Sequence, residues 1–313
     1  MLPSFGRTAR MTGLDVGSTM IKAVVLERQA DGIILRQAAL AATPPGVVTA
    51  GVLTDGITVA RALKSLWSDY SMQDQRVASA VSGDRVFCQM DETKGLGDVD
   101  LDRFVEDKIA ETLSYPPDSA SSGYQEVPGG AVWVAAPVES IDWIRETVRL
   151  SSKTPVSIET QSCALANAYS FSYQPGTEDV VLLVHVGAQR ASLVLMRGEV
   201  PLYGRDVVIN GDWPVAVQSV PERVINALDL HWDQIELRAR PSDVSRILIS
   251  GGAAGVNELK ESILGRTGKP VEEMDPFLRI SYSPGAGPGQ VVAEHRCSLA
   301  VAAGLALQGL VDV

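Results

Sequence analysis

Apolar positions between residues 12 and 41 come in three runs, TGLDV, MIKAVVLER and GIILRQAALA, separated by the turns VGST and QADG. Short apolar runs punctuated by glycine predict three strands. The period then changes. In DGITVARALKSLWSDY, Val59, Leu63, Leu66, Trp67 and Tyr70 recur at three- and four-residue spacing, which predicts an amphipathic helix. RVASAV and RVFCQMD predict two more strands around Ser82-Gly83-Asp84. After them Asp100 caps a helix with Leu101, Phe104, Val105, Ile109 and Leu113 on one stripe. SYPPDSASSGYQEVPGG is rich in turn residues and predicts an exposed loop, followed by the strand AVWVAA and the helix ESIDWIRETVRL.

The second half repeats the plan of the first. A short strand, VSIE, and a helix, CALANAYSF, lead into DVVLLVHVGAQRASLVLMRGEVPLYGRDVVI, where two apolar strands flank V-G-A-Q as they flank V-G-S-T near residue 17. Helical patterning follows in WPVAVQSVPERVINALDLHW. Then comes the buried strand ILIS with Gly251-Gly252, a helix from Val256, and a last helix, CSLAVAAGLALQGLV. Two β-β-β-α halves facing each other predict two lobes with a ligand cleft between them.

Charge and composition narrow the function. The 313 residues carry a net charge of −11, which speaks against nonspecific nucleic-acid binding, since that needs a basic surface. The start, MLPSFGRTAR, lacks an apolar signal region, and no run is long and apolar enough to span a bilayer, so a cytoplasmic protein is expected. Cys88, Cys163 and Cys297 are odd in number and far apart, and His185, His231 and His295 have no metal-ligand spacing. Buried free thiols are expected.

The chemistry sits in the glycine turns. Gly17 allows close approach of the backbone to a phosphate. Ser18 and Thr19 add hydroxyls, Lys22 brings an ammonium within reach, and Asp15 is the candidate ligand for a hydrated Mg²⁺. The second turn keeps Gly187, with Ala188 and Gln189, but carries His185 where a second carboxylate would complete a metal site. A strand histidine bonded locally is the plainer account of that residue. Gly251, Gly252 and Ala253, between a strand and a helix, would let a sugar or flat ring approach the backbone.

In this order the motifs resemble the actin-like ATPase superfamily, with an α/β, ribonuclease H-like fold of two lobes built on duplicated β-β-β-α-β-α cores. Asp15-x-Gly17-Ser18-x-x-x-Lys22 resembles its first phosphate motif, VHVGAQRASLVL the second and ILISGGAAG the adenosine motif. The start of the chain, DLDRFVEDKIAETLSYP, WVAAPVESIDWIRETVRLSSKTPVSIETQSCALANAY, LYGRDVVI, VEEMDPF and SLAVAAGLALQGL are similar to the PilM family of type IV pilus assembly. That resemblance implies a first lobe at 11–76 and 155–178, an FtsA-like inserted subdomain at 77–154, a second lobe at 179–297 and a returning helix at 298–313. It implies ATP or ADP as ligand, with Mg²⁺. It also implies a scaffold role at the inner face of the inner membrane, reached through partners. The partner would be the N-terminal cytoplasmic peptide of a PilN-like inner-membrane protein, docked in a groove lined from about Val77 to Leu113, with self-association as a further expectation. His185, and Gln161 beside Glu159 where the family carries an acidic pair, imply weak or lost hydrolysis. A sugar-kinase-like phosphotransferase and an FtsA-like filament subunit are the alternatives within the superfamily. The C-terminus GLVDV lacks the basic amphipathic helix that a membrane-binding filament subunit would need.

Overall fold

A computed structural model describes residues 10–49, 52–93, 100–209, 220–240, 242–255, 257–282 and 287–311. The first three strands are β1 (Arg10–Val16), β2 (Met20–Gln29) and β3 (Gly32–Ala42), paired antiparallel in sequence order. β6 (Arg76–Val81) and β10 (Thr154–Thr160) add to them in parallel, and β16 (Ile280–Ser281) closes the far edge, giving the order β10-β6-β1-β2-β3-β16. The second lobe repeats this arrangement. β11 (Val180–Val186), β12 (Arg190–Arg197) and β13 (Val200–Val208) form the meander, and β14 (Val244–Ser250) and β15 (Val271–Glu273) lie parallel beside β11. The run 10-6-1-2-3 thus matches 15-14-11-12-13, and the duplication expected from the two glycine turns is present strand for strand.

Helices fill three layers around the two sheets. The expected helix at residues 55–70 is α1 (Gly56–Asp69), capped by Asp55 accepting from the Thr58 N–H, with Val59, Leu63, Leu66 and Trp67 buried against the first sheet. Tyr70, expected on the same face, sits at the C-cap, 38% exposed, with its hydroxyl on the Leu40 carbonyl. α5 (Val220–Glu236) and α6 (Asn257–Thr267) cover the outer face of the second sheet. The early part of the helical pattern before Val220, and Val256, lie outside the described residues.

Between the sheets run α4 (Gln161–Tyr173) and α8 (Ala300–Val311). α8 is apolar but for Gln308, and α4 is built of small and apolar residues with scattered Ser, Asn and Gln, as suits helices buried between two layers. Their Leu165, Tyr169, Leu305 and Leu307 share one core with Met11, Val24 and Leu26 of the first sheet and Val181, Leu183 and Met196 of the second. The two lobes are therefore joined through a common core, in which α8 packs against β1 and β2.

Two expectations are corrected. The resemblance implies an insertion that opens at residue 77, inside RVASAV, but β6 is hydrogen-bonded between β10 and β1 and belongs to the first sheet; its neighbours in space come from strands far away in sequence. The insertion proper is β7 (Phe87–Glu92), α2 (Leu101–Thr112), β8 (Ala120–Val127) and β9 (Gly130–Pro137), with its own small core of Phe87, Val105, Ile109 and Trp133. The second correction concerns residues 114–130. Ala120–Val127 is a strand paired along its length to β9, mostly exposed because it forms the edge of the sheet. Its polar residues face water while the ladder to β9 satisfies the backbone. The insertion is also not separate from the second lobe, since β7 pairs with β13 and extends that sheet to eight strands.

Candidate functional site

The two glycine turns are built alike. In the first, the Gly17 N–H donates to the Met20 carbonyl at 3.1 Å; in the second, the Gly187 N–H donates to the Arg190 carbonyl at 2.8 Å. Each hairpin closes one step further back, Val16 opposite Ile21 and Val186 opposite Ala191. The next pairs are therefore equivalent: Asp15 faces Lys22, and His185 faces Ser192. The third turn leaves β14 at Gly251, whose φ is +94° and whose N–H donates to the Cys297 carbonyl at 3.0 Å. A Cβ on Gly251 would stand 2.3 Å from the Val186 carbonyl oxygen, so both the backbone angle and the space require glycine.

All three turns open on one cleft of about 480 Å³, a size suited to a small organic ligand. Asp15, Gly17, Ser18, Thr19 and Lys22 line one wall, Gly187, Ala188 and Gln189 the facing one, and Gly251, Gly252 and Ala253 the end. Every residue assigned to the three glycine turns in the sequence lines this space. Glu273, Arg296 and Cys297 also line it and were not anticipated. They come from β15 and the short turn of 3₁₀ helix before α8, and only tertiary packing brings them to the cleft.

Electrostatics differ between the two turns. Lys22 Nζ donates to Asp15 Oδ2 at 2.7 Å, with both side chains about nine-tenths buried. His185 is 4% exposed and hydrogen-bonds through Nδ1 to Ser250 Oγ at 3.0 Å, which is the local role considered for it. Burial, helped by the nearby Lys22 ammonium and opposed by Asp15, lowers its pKa to about 4 and keeps the imidazole neutral. Below it lies a buried polar chain. Gln161 Nε2 donates to Ser192 Oγ at 2.6 Å, Ser192 Oγ to Asp206 Oδ1 at 2.5 Å, and the Gly83 N–H to Asp206 Oδ2 at 2.8 Å. Gln161 itself reaches the cleft wall, while Glu159 is half-buried on β10.

At the far end Glu273 is paired with Lys260 and accepts from Cys297 Sγ at 3.3 Å. The lysine lowers the Glu273 pKa, and burial together with that carboxylate raises the Cys297 thiol to about 11, so it is not an activated nucleophile. Cys88 is buried as expected; Cys297 departs from the expectation by lying on the cleft wall. Among the described residues no group of three His, Cys, Asp or Glu side chains is placed to hold a metal ion, and no helix is long and apolar enough to cross a membrane.

A second, small groove of mixed polar and apolar lining adjoins the cleft and shares Asp15 and Gln161 with it. It lies between the small hairpin of β4 (Val48–Thr49) and β5 (Val52–Leu53), the end of β6, and α3 (Val138–Leu150). Trp143 of α3 stands at this groove, 46% exposed.

Solved structures share this architecture. One described as "PilM-PilN type IV pilus biogenesis complex" is similar over 97% of this chain and 99% of its own, with a TM-score of 0.81 at 20% identity. The ethanolamine utilization protein EutJ from Carboxydothermus hydrogenoformans is similar over 96% and 90%, at TM-score 0.57 and 13% identity. A Bacteroides thetaiotaomicron protein described as having an actin-like ATPase fold covers 87% of this chain and 92% of its own, at TM-score 0.51 and 11% identity. At these identities the likeness shows the fold, and the fold is that of the actin-like ATPases. In sequence, the family described as "Type IV pilus assembly protein PilM" matches residues 13–237. With most of its length inside that match, the chain belongs to the PilM family of type IV pilus assembly proteins.

Proposed function

We propose that this protein is a nucleotide-binding scaffold of a type IV pilus or related secretion machine, turning over ATP slowly or not at all. The observation that carries the reading is the convergence of three glycine turns, far apart in sequence, on one cleft of about 480 Å³. In this assignment Gly17, Ser18, Thr19 and Lys22 hold the phosphates from one side and Gly187, Ala188 and Gln189 from the other. Gly251, Gly252 and Ala253 receive the nucleoside. The neutral pair His185–Ser192, where the first turn has Asp15–Lys22, leaves the second turn without a carboxylate to position an attacking water. Weak or absent hydrolysis is the consequence.

The scaffold would dock the N-terminal cytoplasmic peptide of a PilN-like inner-membrane protein and reach the membrane through it. Support comes from the similar complex, described as one of PilM with PilN, and from the small groove with the exposed Trp143 ring, which takes only Ala80, Val81 and Ser82 from the stretch Val77 to Leu113 expected to line it. An extended peptide seats its side chains in such a groove.

Fluorescence anisotropy with a labelled N-terminal peptide of the PilN-like protein tests the docking. Saturable binding, weakened about tenfold by Trp143→Ala, is the expected result, in the range for an exposed aromatic anchor. Absence of binding at any peptide concentration would remove the scaffold assignment. Calorimetric titration with ATP and ADP tests the cleft, and a flat titration would remove the nucleotide.

A further inference from the structure

We propose that this cleft binds its nucleotide without a divalent cation, the Lys22 ammonium held on Asp15 standing where such an ion would otherwise sit. The proposal rests on the nucleotide reading above and adds what neutralises the phosphates.

Magnesium requires oxygen ligands in near-octahedral array and is normally held by one or two carboxylates together with substrate phosphates. Among the described residues Asp15, Glu273 and Glu294 line the cleft and Asp206 lies beneath it, and each of the four is engaged, Glu294 by Gln290 at 3.2 Å on the helix before the 3₁₀ turn. Asp15 accepts from Lys22 at 2.7 Å in a pair about nine-tenths buried. Admitting a dication at Asp15 would either place it against the ammonium or strand that ammonium unpaired in a buried site, and both are costly. Asp206 receives Ser192 and the Gly83 N–H on its two oxygens and belongs to the floor beneath the cleft. Glu273 is taken by Lys260 and Cys297 at the opposite end.

The second turn makes the same point by register. The position equivalent to Asp15 in the duplicated hairpin is His185, whose Nδ1 is engaged by Ser250. An imidazole is a poor ligand for magnesium, which is selected by oxygen donors. The residues present do not fit the ion.

They do fit a fixed organic cation. Lys22 Nζ lies 3.6 Å from the position a Cβ on Gly17 would take, so the charge rests against the first phosphate turn. The cross-strand pairing with Asp15 holds it there. An ammonium has three N–H donors and Asp15 uses one, so phosphate oxygens can take the others. Asp15 therefore acts as a positioning residue for a lysine.

Calorimetric titration of the full chain with ADP and with ATP, in excess Mg²⁺ and in EDTA, tests this. The expected Kd in EDTA is within about threefold of the Mg²⁺ value, or lower, because no metal–protein bond is lost. Lys22→Gln, which keeps a donor to Asp15, is expected to weaken binding in EDTA by about tenfold or more. Binding about tenfold tighter with Mg²⁺ than in EDTA, or a Lys22→Gln protein that binds as the parent does in EDTA, would overturn the proposal. Absence of binding in both buffers would instead bring down the nucleotide reading itself, and this proposal with it.

Discussion

Gly304 of α8 and Ala164 of α4 are in backbone contact: a Cβ on Gly304 would stand 1.8 Å from the Ala164 carbonyl oxygen. The same helix meets β1 at Gly13, where a Cβ would come within 1.9 Å of the Ala302 carbonyl oxygen. The layer joining the two lobes is thus packed backbone to backbone. Gly304→Ala would force the two helices apart, and an overpacked core of this kind costs about 3 kcal/mol. Chemical denaturation is expected to show a lower midpoint with an unchanged slope.

Glu27 gives the first lobe an acid-sensitive clasp. It is buried on β2 and held by Arg36, Gln29 and Arg10, and these bonds, Arg36 foremost, lower its pKa to about 2. A depressed carboxylate stabilises the fold above its ordinary pKa and loses that contribution as pH falls toward the folded value. Between pH about 4.5 and 2 the parent is therefore expected to lose about 2 kcal/mol that Glu27→Gln does not lose, after discount for the half-exposed arginines. Urea melts across that range measure the difference.

His185 titrates in the same sense for a different reason. Burial holds its pKa near 4 against 6.5 in the open chain, so the unfolded state binds the extra proton between these values. Stability is expected to be full above pH 6.5 and to decline by up to about 3 kcal/mol as pH falls to 4. His185→Asn should flatten that limb. NMR should show the ring neutral throughout the physiological range; a titration near pH 6.5 would contradict the burial argument.

Asp206 is the acceptor on which the floor beneath the cleft depends. Asp206→Ala would leave the Ser192 hydroxyl and the Gly83 N–H without their acceptor inside the protein, at a cost of about 2–3 kcal/mol. Asp206→Asn keeps one acceptor oxygen and is expected to cost roughly half as much. Thermal melts of the two variants provide the comparison.

Much of this was legible in the chain, and the exceptions have physical causes. The hairpin around Gly17 could be read because apolar strands flank a residue that turns without strain, and Gly187 repeated the signal. β8 could not, since ASSGYQEV on an edge has no apolar face to show and is held by its ladder to β9. RVASAV was legible as a strand but not as a member of the first sheet, because a parallel partner is chosen by topology. In the site, the glycines announced themselves. Lys22 was assigned to the phosphate alone, since only the register shows it directly opposite Asp15. Ser192 and Asp206 read as the polar members of ordinary strands, and Glu273 and Cys297 reach the cleft from elements more than a hundred residues beyond the first turn.

The pairing of β7 with β13 has a mechanical consequence. A ladder between Phe87–Gln89 and Tyr203–Arg205 welds the insertion to the second lobe, although its chain enters and leaves through the first. Any rocking of one lobe on the other must then be absorbed at the two crossings, residues 82–86 and the step from β9 into α3 at Pro137. The small groove at Trp143 lies beside both. Its lining takes Ser82 from the first crossing and Ser140 from the helix that follows the second, so the groove sits where such a displacement would be felt.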